Sequence, residues 1–198
     1  MKDVVYVVSV AALAGLTGCV STPSVREVEL DRAPMTSKLE AQDFRRTAEK
    51  MVESLLVSEG VLEVTGGKRP VLDIEPIKNR TAQHFDVVSI TDSIRTQLLR
   101  SGKFRFTDKS TSGTDIEFMD AQANLGLTDP TKAIRPGQQS AAQLYLYGAV
   151  TEHMTRAGNT TDRYYKFTLN LKDLASGELI WADEKEIRKI NERSSFGF

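Results

Sequence analysis

Arg163-Tyr-Tyr-Lys-Phe-Thr-Leu-Asn-Leu-Lys-Asp-Leu174 decides how this chain folds. Tyr165, Phe167, Leu169 and Leu171 fall on one side of an alternation, and Tyr164, Lys166, Thr168, Asn170 and Lys172 fall on the other. Successive side chains of a strand point to opposite faces, so this period of two predicts a strand with one face in the core and one in water. Ala175-Ser-Gly177-Glu178 follows directly and turns the chain as a tight hairpin, with Gly177 in the positive-φ position, and Leu179-Ile-Trp181 begins the return strand. Upstream, Leu144 to Met154 predicts another strand. The last third of the chain is therefore all strand.

The strands need helices to cover their apolar face, and the first half of the chain supplies them. Ser37-x-x-Glu40 has the form of a capping box, and Phe44, Ala48, Met51, Val52 and Leu55 then make one stripe on a helix of about 18 residues. Glu59-Gly60 is expected to stop it. The stripe fits core packing better than a partner helix. Pro70-Val-Leu-Asp-Ile-Glu-Pro76 predicts a short strand bounded by prolines, Ile77 to Phe85 a loop, and Asp86 the cap of a helix from Val87 to Ser101 ended by Gly102. Lys103 to Asp108 alternates as a further strand with Phe104 and Phe106 inward, which completes a strand-helix-strand unit. Between Lys109 and Gln143 a helix is expected from Asp115 to Leu125, with Ile116, Met119, Ala123 and Leu125 at rough helical spacing, and a shorter helical piece from Gln138 to Ala142. Lys132-Ala-Ile-Arg135-Pro136-Gly137 is a loop by its Pro-Gly pair. The predicted fold is α/β, a mixed central sheet of about 4–5 strands flanked by about 4 helices, ending in an antiparallel hairpin.

The N-terminus settles location. Met1-Lys2-Asp3, a twelve-residue apolar run from Val4 to Gly15, and Leu16-Thr17-Gly18-Cys19 have the three-part layout of an export signal. The run is too short for a membrane-spanning helix, which needs about 20 residues. Leu-Thr-Gly-Cys resembles the bacterial lipobox, and the chain's one cysteine, Cys19, is then the lipid attachment site. Val20, which follows it, is not the aspartate of an inner-membrane retention signal. The expected layout is a signal peptide over 1–18, a lipidated tether over 19–36 and a globular domain over 37–198, on the periplasmic side of the outer membrane. Stretched out, residues 20 to 36 reach about 55 Å. With one cysteine no disulfide can staple the fold, and a net charge of −1 with 40% apolar residues excludes a nucleic-acid-binding surface and describes an ordinary globule.

Reactive constellations are not found. His84 and His153 are far apart and have no metal-ligand neighbours, so no metal site is expected. There is no G-x-S-x-G elbow. Gly66-Gly67-Lys68-Arg69 imitates part of a phosphate loop without its leading glycine or its Ser/Thr, and is expected to be a turn. Asp73 and Glu75 alternate with Leu72 and Ile74 as the polar face of a strand. The expectation is a non-enzyme without cofactors or a small-molecule substrate.

Several fragments make sense together: Asn79-Arg80-Thr81 after the first strand, Ser101-Gly102-Lys103-Phe104 at the second, Leu125-Gly126-Leu127, Leu144-Tyr145-Leu146-Tyr147, and Ser176-Gly177-Glu178-Leu179-Ile180-Trp181. In this order behind a lipobox, from about Phe44 to Trp181, they resemble the LpoB family of outer-membrane lipoproteins that activate class A penicillin-binding proteins. The resemblance implies a domain similar to the N-terminal domain of TolB, and docking on a small regulatory domain of the synthase to stimulate glycan polymerisation and peptide cross-linking. It places partner contacts near Tyr147, with Lys132 and Arg135 as charged contributors and Arg80 as a weaker candidate. For these residues a second reading stays open: Tyr147 as sheet packing, Lys132 as a solvated charge, Arg80 as a brace for its own loop. Relative to the family the tether is short, and the Asp162–Glu192 hairpin and the tail to Phe198 are extended. The competing function is a structural or secretion-associated outer-membrane lipoprotein with a TolB- or CsgG-like domain, although no amphipathic strands beyond the sheet are available to build a pore.

Overall fold

The computed structural model describes residues 38–192 apart from Thr111, Leu127 and Pro130. Cys19, the tether, Ser37 and the tail after Glu192 lie outside the described residues.

Helix α1 spans Ala41–Val57. Its capping box is formed by Glu40 and Asp43, one turn later than the Ser37/Glu40 pair expected from the sequence. The Asp43 carboxylate accepts from the Glu40 amide at 2.9 Å, while the Glu40 side chain satisfies the N3 amide. The expected stripe is buried, together with Thr47. Gly60 does not end this helix. The chain bends at Ser58, whose ψ of 133° is extended, and continues as α2, Glu59–Thr65. Gly60 is required for a different reason: a Cβ there would stand 2.9 Å from the Ile180 carbonyl oxygen, so its hydrogen lets α2 lie directly on the last strand.

Strand β1, Leu72–Ile74, runs parallel to β3, Leu144–Ala157. The segment expected as plain loop after Pro76 contains a second short strand, β2, Lys78–Arg80, parallel to the same β3 further along. Together β1 and β2 form one edge strand broken at Pro76, which has no amide to donate to the ladder. Helix α3, Val87–Arg100, starts as expected, with Asp86 Oδ1 accepting from the amides of Val88 (2.9 Å) and Ser89 (3.2 Å). Its inward face is Ile90, Thr91, Ile94 and Leu98, and the Thr91 hydroxyl accepts from the Ile77 amide at 3.0 Å, which ties the helix to the broken edge. The expected strand over 103–108 is reduced to one parallel bridge, Arg105 with Val71, because β1 offers it only the residues ahead of its own pairing with β3. Phe104 is nevertheless fully buried.

Helix α4, Ser112–Asn124, begins earlier than predicted and buries none of its residues. Ile116 and Phe118 stay exposed, as does Leu125 beyond its end, and Met119 is only half-buried, so the expected stripe is not a core stripe. No helix forms over 138–142, where the chain turns at Pro136-Gly137 and then runs irregularly into β3. Strands β3, β4 (Thr160–Asp173) and β5 (Leu179–Glu192) form an antiparallel ribbon of 14-residue strands, and the sheet order is β1-β3-β4-β5. Gly177, at φ +81°, makes the predicted hairpin.

Helices α1, α2 and α3 cover one face of this sheet. Leu72, Ile74, Leu144, Leu146, Val150, Tyr165, Phe167, Leu169, Leu171 and Trp181 meet them there. Phe44 joins the layers, 4.5 Å from the Phe85 ring centre and 5.4 Å from that of Phe167. Each such large side chain contributes about 1.5–3 kcal/mol by leaving water. Edge strand β5 is densely charged from Asp183 to Lys189, which discourages pairing with another chain.

The molecule has two poles. Strand β3 begins beside the loop Gly66–Arg69 and ends beside the start of α1, about 45 Å away at 3.3 Å per residue. At the second pole Lys189 Nζ donates to the Lys38 carbonyl at 2.7 Å and pairs with Asp43.

Candidate functional site

The face opposite the helices carries the side chains that the alternation placed in water. Register assigns them to rungs across the sheet: Asp73–Tyr145–Lys172, then Tyr147–Asn170–Ala182, then Lys78–Ala149–Thr168–Glu184, then Arg80–Thr151–Lys166–Glu186, then His153–Tyr164–Arg188. No helix of the inner layer covers them. Three of the chain's five tyrosines stand here: Tyr145, Tyr147 and Tyr164.

Tyr147 is half-buried and stacks on Tyr145, with ring centres 5.8 Å apart and planes 28° from parallel. Its rung neighbours Asn170 and Ala182 are small, and Ala149 follows two residues on, so the ring stands over a shallow floor. Burial, the Glu75 charge and a hydrogen bond to Glu75 push the Tyr145 hydroxyl up from its ordinary value, so that hydroxyl is a neutral donor at physiological pH.

Charge surrounds this floor. Lys166 lies 3.1 Å from Glu184 and 3.5 Å from Glu186, and its hydrogen bond to Glu184 raises its pKa. Tyr164 is raised by hydrogen bonding to Glu186, whose own carboxyl is lowered by the same bond. Asp73 is paired with Lys109 at 2.5 Å and Lys78 with Glu75 at 3.1 Å. Arg80 and Lys172 have no ion pair among the described residues and are left to interact outward.

The expected site residues are therefore only partly brought together. Arg80 shares the open face with Tyr147 but stands two rungs away, about 13 Å along the strand. Lys132 and Arg135 are exposed in the segment between α4 and β3, and no hydrogen bond or ion pair among the described residues joins their side chains to the Tyr147 face. The Arg80 side chain makes no bond to its loop among the described residues. Asn79 braces that loop, accepting from the Thr81 amide and hydroxyl, both at 2.9 Å, and donating to the Gln83 carbonyl at 2.8 Å. Tyr145, Asn170 and Lys172 complete the floor; the 163–174 alternation puts Asn170 and Lys172 on the polar side of their strand, and only the register with β3 brings them beside Tyr145 and Tyr147. His84 and His153 are exposed, and among the described residues no group of three or more His, Cys, Asp or Glu is arranged to hold a metal ion.

These features define an α/β layer protein whose distinctive surface is an open, tyrosine-bearing sheet face. The profile of the family described as "Peptidoglycan-synthase activator LpoB" matches residues 43–187, which is most of the described chain. The chain belongs to the LpoB family. "Penicillin-binding protein activator LpoB" of Citrobacter koseri is 24% identical over 167 residues, covering 84% of this chain and 72% of that protein. Among solved structures, the LpoB C-terminal domain from Escherichia coli aligns at 20% identity over 73% of this chain and 98% of that one, with a TM-score of 0.45. The NMR structure of E. coli LpoB aligns at 18% identity over 97% and 96%, with a TM-score of 0.40.

Proposed function

We propose that this chain is an outer-membrane lipoprotein, acylated at Cys19 and facing the periplasm, that docks on the regulatory domain of a class A penicillin-binding protein and stimulates peptidoglycan synthesis. The observation that carries this reading is the family match over 43–187, on a domain whose one uncovered sheet face holds the stacked Tyr145 and Tyr147. Tyrosine and arginine are enriched at interface hot spots because they bring large area and directed donors at little entropic cost. Tyr147 and Arg80 are assigned to this contact, with Lys132 and Arg135 as contributors from the adjoining segment.

An activator that shifts a synthase between states must bind the active state more tightly, and a tenfold shift requires about 1.4 kcal/mol of difference. Two or three well-placed face contacts supply that.

The test is capture of class A synthases from solubilised membranes by the full chain, followed by a polymerisation assay. Tyr147→Ala should weaken binding by about tenfold while the melting temperature stays unchanged, since its ring is half-exposed on the outer face. Failure of the wild-type chain to bind any such synthase, or to raise its rate, refutes the reading. Mass spectrometry finding residue 19 unmodified removes the lipoprotein part.

A further inference from the structure

At the pole far from Lys38 lies an open cleft of about 500 Å³ that the docking face does not use. Lys68, Arg69 and Arg105 line it, together with Gln143 and the acidic residues Glu63 and Asp173. The turn that presents the first two cations is the Gly66-Gly67-Lys68-Arg69 segment, with Gly67 at φ +71°.

The two arginines are held, but not by acids. Arg105 Nε donates to the Arg69 carbonyl at 2.8 Å, and Arg69 Nη2 lies 3.5 Å from the Phe104 carbonyl. The Arg105 backbone is fixed on both sides: its amide donates to Pro70 O at 3.0 Å and its carbonyl accepts from Leu72 N at 2.8 Å. A guanidinium bonded through Nε keeps both terminal NH₂ groups free as a two-pronged donor, the shape that matches a carboxylate. Elsewhere Arg95, Arg163 and Arg188 are each matched to a carboxylate within 3.2 Å. Among the described residues no acid lies within 4.0 Å of the charged groups of Lys68, Arg69 or Arg105.

Asp173 Oδ1 is spent on the amides of Ala175 and Ser176, at 2.7 and 3.0 Å, whereas the Glu63 carboxylate has no partner among the described residues. A site with three cations and a free carboxylate repels a compact polyanion such as phosphate at one wall. It suits a ligand that carries carboxylates and an ammonium together.

We propose that this cleft binds a short zwitterionic peptide, its carboxylates on Arg69, Arg105 and Lys68 and its ammonium toward Glu63. Peptides of this chemistry hang from the cell-wall polymer. That source rests on the reading of the chain as a synthase activator, whereas the cleft's chemistry does not.

The test titrates the full chain by calorimetry with a soluble disaccharide-tetrapeptide, with the same compound amidated at its carboxylates, with a linear peptide of the same charges, and with inorganic phosphate. The disaccharide-tetrapeptide should saturate the chain, and amidation should weaken it by about tenfold, as expected for loss of a charge-assisted bidentate bond. Arg105→Gln and Arg69→Gln should each cost a similar factor. Lys68→Gln, whose side chain makes no bond among the described residues, should lower affinity severalfold with unchanged melting. Tyr147→Ala should bind the peptide like wild type, so loss of synthase activation leaves this result standing. No saturation at millimolar peptide, equal binding of the amidated compound, tighter binding of phosphate, or indifference to all three substitutions overturns the proposal. Equal binding of the linear peptide overturns the cell-wall source.

Discussion

Gly148 is the position where one added methyl should do the most damage. It sits in the middle of β3 on the helix-facing side, and a Cβ there would stand 2.2 Å from the Thr168 carbonyl oxygen and 2.7 Å from Leu169 Cδ2. The first of these is backbone in a ladder, so no side-chain rotation relieves it, and β3 and β4 must separate by roughly an ångström. Overpacking of this kind costs about 1–3 kcal/mol, and each flanking ladder bond stretched out of range adds about 1 kcal/mol. Restriction of the unfolded chain by alanine returns about 0.5–1 kcal/mol. The expected net loss for Gly148→Ala is about 2–3 kcal/mol, or a melting temperature lower by about 5–10 °C in a chain of this size. Trp181 is the only tryptophan, buried on β5, so urea unfolding followed by its fluorescence reports the sheet directly. Gly113→Ala, with nothing within 4 Å and on a helix, is the control and should be neutral or slightly stabilising. A Gly148→Ala midpoint within about 0.5 kcal/mol of wild type would refute the strand approach described here.

Other perturbations probe other joints. Glu152 is 5% exposed, pairs with Arg163 at 2.5 Å and accepts from the Ala82 amide at 2.9 Å. Glu152→Ala therefore strands a mostly buried guanidinium and should lower stability by about 3 kcal/mol in urea unfolding. Asp86→Ala removes both cap bonds of α3 and should cost about 1 kcal/mol by the same assay. Asp162 is held below the usual carboxylate range by its hydrogen bonds to Arg188. A depressed folded pKa adds stability above the unfolded value near 3.9 and loses it as pH falls through the folded value, so the ribbon end should loosen in acid. Hydrogen exchange at the ends of β4 and β5 should show this loosening in wild type and little pH response in Arg188→Gln.

The strands and the two long packed helices were legible because period and packing agree there. The alternation of 163–174 and the stripe from Phe44 to Leu55 each have one physical solution, a face turned toward the other. What could not be read was set by partners distant in sequence. Gly60 has the look of a stop signal, and only the position of Ile180, 120 residues on, shows that it serves close approach. Residues 103–108 alternate like a strand, but a strand needs a free edge, and β1 is too short to offer one. In α4 helical spacing exists without a surface to bury it, so propensity formed the helix and packing did not follow. The open sheet face is half legible. Tyr147 and its alternating neighbours could be placed on one face, whereas the position of Lys132 and Arg135 depends on an irregular segment that no periodicity governs.

The tie between Lys189 and the start of α1 has a mechanical consequence. Any pull on the chain ahead of Lys38 reaches β5 as well as the helix, and β5 hands it to β4 and β3 along ladders of 14-residue strands. Force applied along those strands loads many rungs at once instead of opening them one at a time.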